Sequence, residues 1–377
     1  MKIYIKLMAA FLIMQLFCGT NNVFAEELKF SADIETQGLQ YNKENRFIIK
    51  YKTGSNKQKV INSVNRIIDK LNFKNIDIKN IIDTLDVIEF SNEIFAADFI
   101  SELKKINANE IEYIQPDNQI KLTGNEIEIG NFTELYNKNT YENQEEVITA
   151  IIDTGVDITH PKFADQTVQG YDFINNQEYA FDVKLSDNET HGTHIAGIIA
   201  SVSPTTKIMP LKVFENGTAY TSDIINAIKY AESHGAQVVN CSWGSSEENK
   251  ILEDIIKNSS MTFICAAGNN GTDISKKYIY PAAYNLENII SVASVSDNNY
   301  LSAFSNYSNE IVDIAAKGED VYSTYPNSLY GVMSGTSMAT GYVTGAVALY
   351  ISKNGKNDVK NQLKKSADKY TSLSNKI

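Results

Sequence analysis

The sequence predicts an α/β protein: a parallel sheet covered by helices on both faces, preceded by a small α+β unit. Three observations lead there. From about residue 145, short runs of Val, Ile and Ala alternate with amphipathic segments of helical period, the pattern of strands buried on both faces. Between 46 and 116, two helical periodicities interleave with shorter strand-like runs. A 377-residue chain with 43% apolar and 21% charged residues can bury a core of two domain-lengths and is not disordered.

The chain opens on a targeting segment. Lys2 and Lys6 precede an apolar stretch, Leu7 to Phe17, and Val23-Phe24-Ala25 places small residues at cleavage spacing before Glu26-Glu27. This reads as a secretory signal peptide over 1–25. The alternative, an uncleaved anchor, is disfavoured because the run is shorter than the ~20 residues a bilayer needs. Cys18 suggests a lipidation site, but Phe17 before it is too bulky. No later run is long enough to span, so a secreted, extracellular product without a membrane span is expected. Removing the signal leaves Cys241 and Cys265 of three cysteines. They can form one disulfide in an oxidising compartment or remain two core thiols; both fall in predicted buried strands, which favours thiols.

Residues 26–45 are polar and aperiodic. Arg46–Lys52 reads as a strand, and Gln58–Leu71 as a helix with Val60, Ile61, Val64, Ile67, Ile68 and Leu71 on one face. Leu85–Phe90 is a second strand, Ile94–Ile106 a second helix carrying Phe95, Phe99, Ile100 and Leu103, and Ile111–Ile114 a third strand. With a strand before Leu85 this becomes a β-α-β-β-α-β, ferredoxin-like unit, at about 75 residues marginal on its own. Downstream, strands are expected at Val147–Ile152, Lys207–Phe214, Val238–Cys241, Thr262–Ala266 and Ile289–Val295. Helices are expected at His191–Ala200, Ser222–His234, Asn249–Asn258 and Ser337–Tyr350.

Composition excludes several functions. Asp+Glu 46 against Lys+Arg 34 gives a net charge of −12, a poor match for nucleic-acid phosphates. There is no Cys-x-x-Cys pair for a zinc ribbon or thioredoxin-type site, and 20 Gly and 6 Pro with no repeat period exclude collagen-like or solenoid architecture.

In a parallel sheet, ligands gather at the carboxyl ends of the strands, and the unusual residues lie there. Ile151-Ile152-Asp153-Thr154-Gly155 ends a strand in an acid. His191-Gly192-Thr193-His194-Ile195-Ala196-Gly197 opens an apolar helix, as does Gly335-Thr336-Ser337-Met338-Ala339-Thr340. Singly, each has a plain structural explanation: a turn, a packed histidine pair lacking the metalloprotease Glu, and an N-cap serine. Together they form a charge-assisted nucleophile. An ionised acid fixes the tautomer of a histidine, and the histidine accepts the proton of a serine hydroxyl too weak to attack unaided. The order Asp, His, Ser is that of the subtilisin type. Ala266-Ala267-Gly268-Asn269-Asn270-Gly271 adds an amide that can donate to an oxyanion.

These motifs, HGTHIAG, GTSMA, the strand-end Asp-Thr-Gly and AAGNNG, resemble the subtilisin-like serine proteases in order and spacing over about Glu146–Lys353. Gly170-Tyr171-Asp172-Phe173, Val239-Asn240-Cys241-Ser242-Trp243-Gly244 and Tyr280-Pro281-Ala282 extend the likeness. The upstream unit resembles their inhibitor-type propeptide, with RFIIKYK as its first strand and Ile111 to Asp117 at its last. The resemblance implies the following roles. Ser337 is the nucleophile, His191 the general base, and Asp153 its orienting acid. Asn269 and the Ser337 N–H form the oxyanion hole, and His194 is a packed, hydrogen-bonded residue. It also implies that Gly217, Thr218, Ala219 and Tyr220, with Ser242, Trp243 and Gly244, flank the substrate as added-strand partners. Ile279 falls where the primary specificity pocket is shaped, its branched side chain suggesting a shortened pocket, and Tyr280-Pro281 matches a cis-proline.

Three departures accompany it. Thr340-Gly341-Tyr342 follows GTSMA where Ser-Pro-His is common. Ala200-Ser201-Val202-Ser203-Pro204 replaces an Asn-rich calcium loop, so no metal ligands are assigned and calcium is expected only without that strong site. The chain ends at Ile377 after a Lys-rich helix, suggesting a trimmed C-terminal end. The expected protein is a monomeric secreted serine endopeptidase acting on peptide or protein. Its parts are a signal peptide (1–25), a propeptide (26–122) acting as intramolecular inhibitor, cut by the enzyme within Asn118–Asn125, and a peptidase domain (123–377). The rival is a catalytically inactive relative used for binding.

Overall fold

The structure, a computed structural model, describes residues 43–71, 76–122, 125–130, 145–179 and 189–377. The expected signal peptide and the start of the polar stretch lie outside these residues.

The small unit is built from β1 (Lys43–Tyr51), α1 (Lys57–Leu71), β2 (Ile76–Ile82), β3 (Leu85–Phe95), α2 (Ala96–Asn107) and β4 (Ile111–Pro116). Its antiparallel sheet has the order β2-β3-β1-β4, the ferredoxin-like arrangement expected, with β2 filling the place left before Leu85. One correction concerns α2. Ile94 and Phe95 belong to β3, because Lys43 and Glu44 of β1 extend the ladder to pair with Phe95 and Ile94, and the helix starts only at Ala96. The unit's two sheet faces do different work. Phe47, Ile49 and Tyr51 point to α1 and α2, where Val60, Val64, Phe99 and Leu103 close a core around a Phe47–Phe90–Phe99 cluster with ring centroids 5.0–6.0 Å apart. On the other face Ile48, Leu85 and Val87 pack into the apolar core of the larger domain.

Two short strands follow, β5 (Gln119–Leu122) and β6 (Asn125–Gly130). The larger domain then supplies β7 (Ile148–Asp153), β8 (Tyr171–Asp172), β9 (Gln177–Glu178), α3 (His191–Val202), β10 (Lys207–Lys212), β11 (Thr218–Tyr220), α4 (Thr221–Ser233), β12 (Val238–Cys241), β13 (Trp243–Gly244) and α5 (Lys250–Lys257). Next come β14 (Thr262–Ala266), β15 (Ile289–Val295), β16 (Ile314–Lys317), β17 (Val321–Tyr325), β18 (Leu329–Ser334), α6 (Thr336–Asn354) and α7 (Val359–Ser366). The main sheet has the order β16-β15-β14-β12-β7-β10-β8-β9. It is parallel except for the β8–β9 edge hairpin. Every residue of β12 and β15 is buried, as sheet strands covered on both faces must be.

Helices α3 and α6 carry His191 and Ser337 at their N-terminal ends and lie against each other. Close approach depends on glycine: a Cβ at Gly345 would sit 2.6 Å from Val202 Cβ, and one at Gly341 3.3 Å from Ile198. This accounts for Gly341, one of the departures noted after GTSMA. Cys241 and Cys265 are register partners on β12 and β14. Both are buried free thiols, and burial pushes the Cys241 thiol upward, so it stays protonated. No helix among the described residues is long and apolar enough to cross a membrane.

Candidate active site

Asp153 ends β7, fully buried. Its backbone oxygen accepts from the N–H groups of Val213 and Phe214 at 3.0 and 3.2 Å, which end the β10 ladder at Lys212 and fix the strand tip. Its Oδ1 accepts from the Thr154 N–H at 2.7 Å. His191 lies 38 positions on and opens α3. Its Nδ1 is 2.9 Å from both Asp153 oxygens, so a proton on Nδ1 is held by the carboxylate and Nε2 is left as the basic nitrogen. Among the described residues Nε2 has no hydrogen-bond partner. Gly192 is required beside this pair, since a Cβ there would lie 2.2 Å from the Gly155 oxygen. Thr154 Oγ1 accepts from the Gly192 N–H and donates to the Glu189 carbonyl. The Glu189 carboxylate forms a buried ion pair with Lys212, the residue in register with Asp153. These contacts tie the histidine segment to the acid's strand.

Ser337 is the second residue of α6, buried at the helix N-terminus, where the helix dipole favours developing negative charge. Its hydroxyl donates to the Ser242 carbonyl at 3.3 Å, and Ser242 Oγ donates back to the Ser337 carbonyl. Ser242 also accepts from Asn240 Nδ2 at 2.9 Å, and Asn240 Oδ1 accepts from Thr344 on α6. Ser242 is therefore a buried support for Ser337 as well as the end of the flanking segment. Asn269 is oriented by Thr336: its Oδ1 accepts from the Thr336 N–H and Oγ1, both at 2.9 Å, leaving Nδ2 to donate elsewhere. The Gly268 N–H in turn donates to Thr336 Oγ1 at 3.1 Å.

His194, one turn below His191, has Nε2 2.9 Å from the Val321 carbonyl. Burial, reinforced by His191, lowers its pKa to about 3. It is a neutral structural residue, as expected.

The flanking segments form a cleft, and the chain's own β5 lies in it. β5 is antiparallel to β11 on one side and to β13 on the other. Thr218, Ala219 and Tyr220 face Lys121, Ile120 and Gln119; Trp243 and Gly244 face Leu122 and Lys121. Gly217, at φ +77°, accepts from the Leu122 N–H through its carbonyl at 3.3 Å. Ile120 is buried with Ala219 in the apolar core, where Trp243 also lies. Beyond Leu122 opens a cavity of about 1000 Å³, lined in part by Gly244, Gly268, Asn269, Ile279 and Tyr280. Ile279 sits at its wall, its methyl 2.7 Å from where a Gly244 Cβ would be, and Tyr280–Pro281 is cis.

The sequence reading brought forward Asp153, His191, Ser337 and Asn269; the structure joins His191 to Asp153 directly and Asn269 to Thr336, the residue before Ser337, while the Ser337 hydroxyl is directed at the Ser242 carbonyl. That reading missed Thr336 as the holder of Asn269, the Glu189–Lys212 pair, and β5 as the strand in the cleft. Only Thr336 had a signal, its place inside GTSMA. Among the described residues no cluster of three or more His, Cys, Asp or Glu is arranged to hold a metal ion.

Comparison with known proteins gives consistent matches. The sequence model of the subtilase family, peptidase family S8, matches residues 144–376. The thermophilic serine proteinase of Bacillus sp. (strain AK1) is 38% identical over 235 residues, 58% of this chain and 56% of that protein. The major intracellular serine protease of Bacillus subtilis (strain 168) is 38% identical over 216 residues, 53% of this chain and 66% of that one. The matched segment thus spans little more than half of the first relative and about two thirds of the second. In fold, the crystal structure of fervidolysin from Fervidobacterium pennivorans, described as a keratinolytic enzyme related to subtilisin, matches with a TM-score of 0.66 at 22% identity. That match covers 87% of this chain and 57% of that one, so the likeness in fold reaches beyond residues 144–376.

Proposed function

The chain belongs to the subtilase family, and from that premise we propose that it is a serine endopeptidase, made as a secreted precursor that cuts itself. One observation carries the reading. The chain's own β5 occupies the cleft as an added antiparallel strand between β11 and β13, in the way an extended peptide substrate adds to a sheet edge. It ends opposite Trp243, the neighbour of Ser242, whose carbonyl holds the Ser337 hydroxyl.

In the proposed reaction the Ser337 hydroxyl turns from the Ser242 carbonyl toward His191 Nε2, gives up its proton there, and attacks the scissile carbonyl. Asp153 holds the ring and stabilises the imidazolium. The oxyanion accepts from Asn269 Nδ2 and the Ser337 N–H, donors in place before charge develops. His191 then protonates the leaving amine, and water, activated by the same nitrogen, hydrolyses the acyl-enzyme. The self-cut falls after Leu122 and before Asn125, inside the Asn118–Asn125 window. It separates residues 26–122 as an inhibitory propeptide from a monomeric peptidase domain. Secretion rests on the N-terminal sequence; a relative named as intracellular makes location a separate question for fractionation.

The test is Ser337→Ala in the full chain. The variant should fold, remain uncut, cleave no peptide and take no fluorophosphonate label, whereas the parent is labelled at Ser337. Labelling retained in the variant would move the nucleophile elsewhere, and an unlabelled parent would favour an inactive binding protein. We further propose that no strong calcium site exists in the four-residue link Ser203–Thr206 between α3 and β10. The melting temperature should then be insensitive to EDTA, and a large drop would reveal a site elsewhere.

A further inference from the structure

Asn306, in the connection between β15 and β16, is wholly buried and bonds to the chain on both sides of Asn269. Upstream, its Nδ2 donates to the Ala267 carbonyl and its N–H to the Gly268 carbonyl, both at 2.8 Å. Downstream, its Oδ1 accepts from the Asn270 and Thr272 N–H groups, both at 3.0 Å, and from Thr272 Oγ1 at 3.1 Å. Gly268 permits this approach: its φ is +98°, and a Cβ there would lie 2.6 Å from Asn306 Nδ2. Asn306 is tied in turn to the main sheet. Ser305 Oγ accepts from the Ser294 N–H of β15 and donates to the Asn306 carbonyl, both at 2.9 Å. We propose that Asn306 is a positioning residue of the oxyanion hole, holding the main chain around Asn269 so that its amide is in place before charge develops.

The inference rests on the endopeptidase reading and deepens it by assigning a residue that acts through Asn269. Thr336 decides which end of the Asn269 amide is free. Those bonds grip the side chain and leave the main chain of the loop able to shift. An oxyanion donor displaced even slightly does less for the transition state. Asn306 removes that freedom because its side chain uses both ends at once: the oxygen holds residues 270 and 272, the nitrogen residue 267. An apolar side chain in its place would leave those N–H groups without this acceptor. The help is realised only as the oxyanion forms, so its loss belongs in kcat. Gly268, Asn270 and Thr272 also line the cavity beyond Leu122, and a residue that merely supported that wall would act on KM instead.

The experiment is a double-mutant cycle in the full chain. kcat and KM are measured on one peptide after self-processing, with kcat normalised to Ser337 titrated by a fluorophosphonate. Asn306→Ala should lower kcat by roughly tenfold or more, bounded by the loss in Asn269→Ala, and leave KM nearly unchanged. Added to Asn269→Ala, it should cost less than about threefold further, because the group it positions is already gone. Asn306→Ser keeps a hydroxyl donor and acceptor and is run in parallel as the milder change. It should show the same loss of effect in the Asn269→Ala background, so the cycle closes even where Asn306→Ala does not fold. An unchanged kcat, losses that multiply across the cycle, or a rise in KM alone would overturn the proposal and leave the endopeptidase intact. A parent that takes no label at Ser337 and cleaves nothing would overturn both.

Discussion

Asn269 shows how one side chain becomes directional. Its amide oxygen is claimed by two donors of Thr336, which leaves the nitrogen to act as the donor the proposed mechanism needs. Asn269→Ala should therefore lower kcat and leave KM nearly unchanged; a lost oxyanion donor in a subtilisin costs about 10²–10³-fold. A rise in KM alone, in steady-state kinetics on one peptide, would make Asn269 a substrate-binding residue instead. His194 is the residue whose titration reaches stability. Burial depresses its pKa from 6.5 to about 3, so between those values the unfolded chain binds a proton that the folded chain refuses. Its stabilising contribution is complete above pH 6.5 and is lost as pH falls toward 3. Denaturant titrations of Ser337→Ala should show that decline, and it should be shallower when His194→Gln is added. Asp153, His191, Ser337 and Asn269 were legible in the sequence because few residue types can do that chemistry and each sits at the head or tail of an apolar run. Thr336 and the Glu189–Lys212 pair were not, since their meaning lies in neighbours distant along the chain.

At the scale of elements, α3 and α6 set the separation of the histidine and the serine, and Gly345 sets the separation of the helices. Gly345→Ala places a methyl group against the Val202 side chain, with the Ile199 carbonyl 3.2 Å away. Overpacking of this kind costs about 1–3 kcal/mol. A calorimetric scan should show a lower melting temperature, and activity at 25 °C should fall where the helix shift reaches Ser337. An unchanged melting temperature would mean that the helices can part freely. The same contrast between continuous and partner-dependent structure explains which elements could be read. β7, β12, β14 and β15 are unbroken apolar runs whose burial is written into their composition. β5, β6, β17 and β18 are short or carry polar residues and Gly331, and they are strands only because another segment of the chain lies beside them. Phe95 was assigned to a helix because its spacing fits one, but the ladder with Lys43 decides.

For the whole molecule, the question is what joins the small unit to the larger domain, and the answer centres on Asp117. This carboxylate is wholly buried. Oδ1 accepts from the Ser222 N–H at 2.9 Å and Oδ2 from Ser222 Oγ at 2.7 Å, so a residue of one unit caps helix α4 of the other. Arg46 Nε donates to the same carboxylate at 2.7 Å and Arg46 reaches Ser222 Oγ at 3.0 Å, with its guanidinium 4.2 Å from the Tyr220 ring centroid. Lys50 pairs with Asp254 on α5 at 2.9 Å. Removing the carboxylate strips the cap and leaves Arg46 paired with Glu89 and within the electrostatic reach of Asp223. Asp117→Ala should weaken inhibition of the processed enzyme by separately added residues 26–122 by roughly tenfold or more, on the magnitudes of a lost cap and a broken, largely buried pair. The pH dependence has a definite sign. Burial raises the Asp117 pKa in the docked state, outweighing Arg46 and Ser222, so the complex takes up a proton more readily than the separated parts. Falling pH then favours docking through this group, and acid cannot release the small unit by protonating Asp117. Inhibition constants measured from pH 7 to pH 4 should stay level or tighten for the parent and lose that trend in Asp117→Asn. Release of the parent on acidification that persists in Asp117→Asn would assign the pH response to another group. Release that disappears in Asp117→Asn would show that the Arg46 pair, rather than burial, governs the carboxylate.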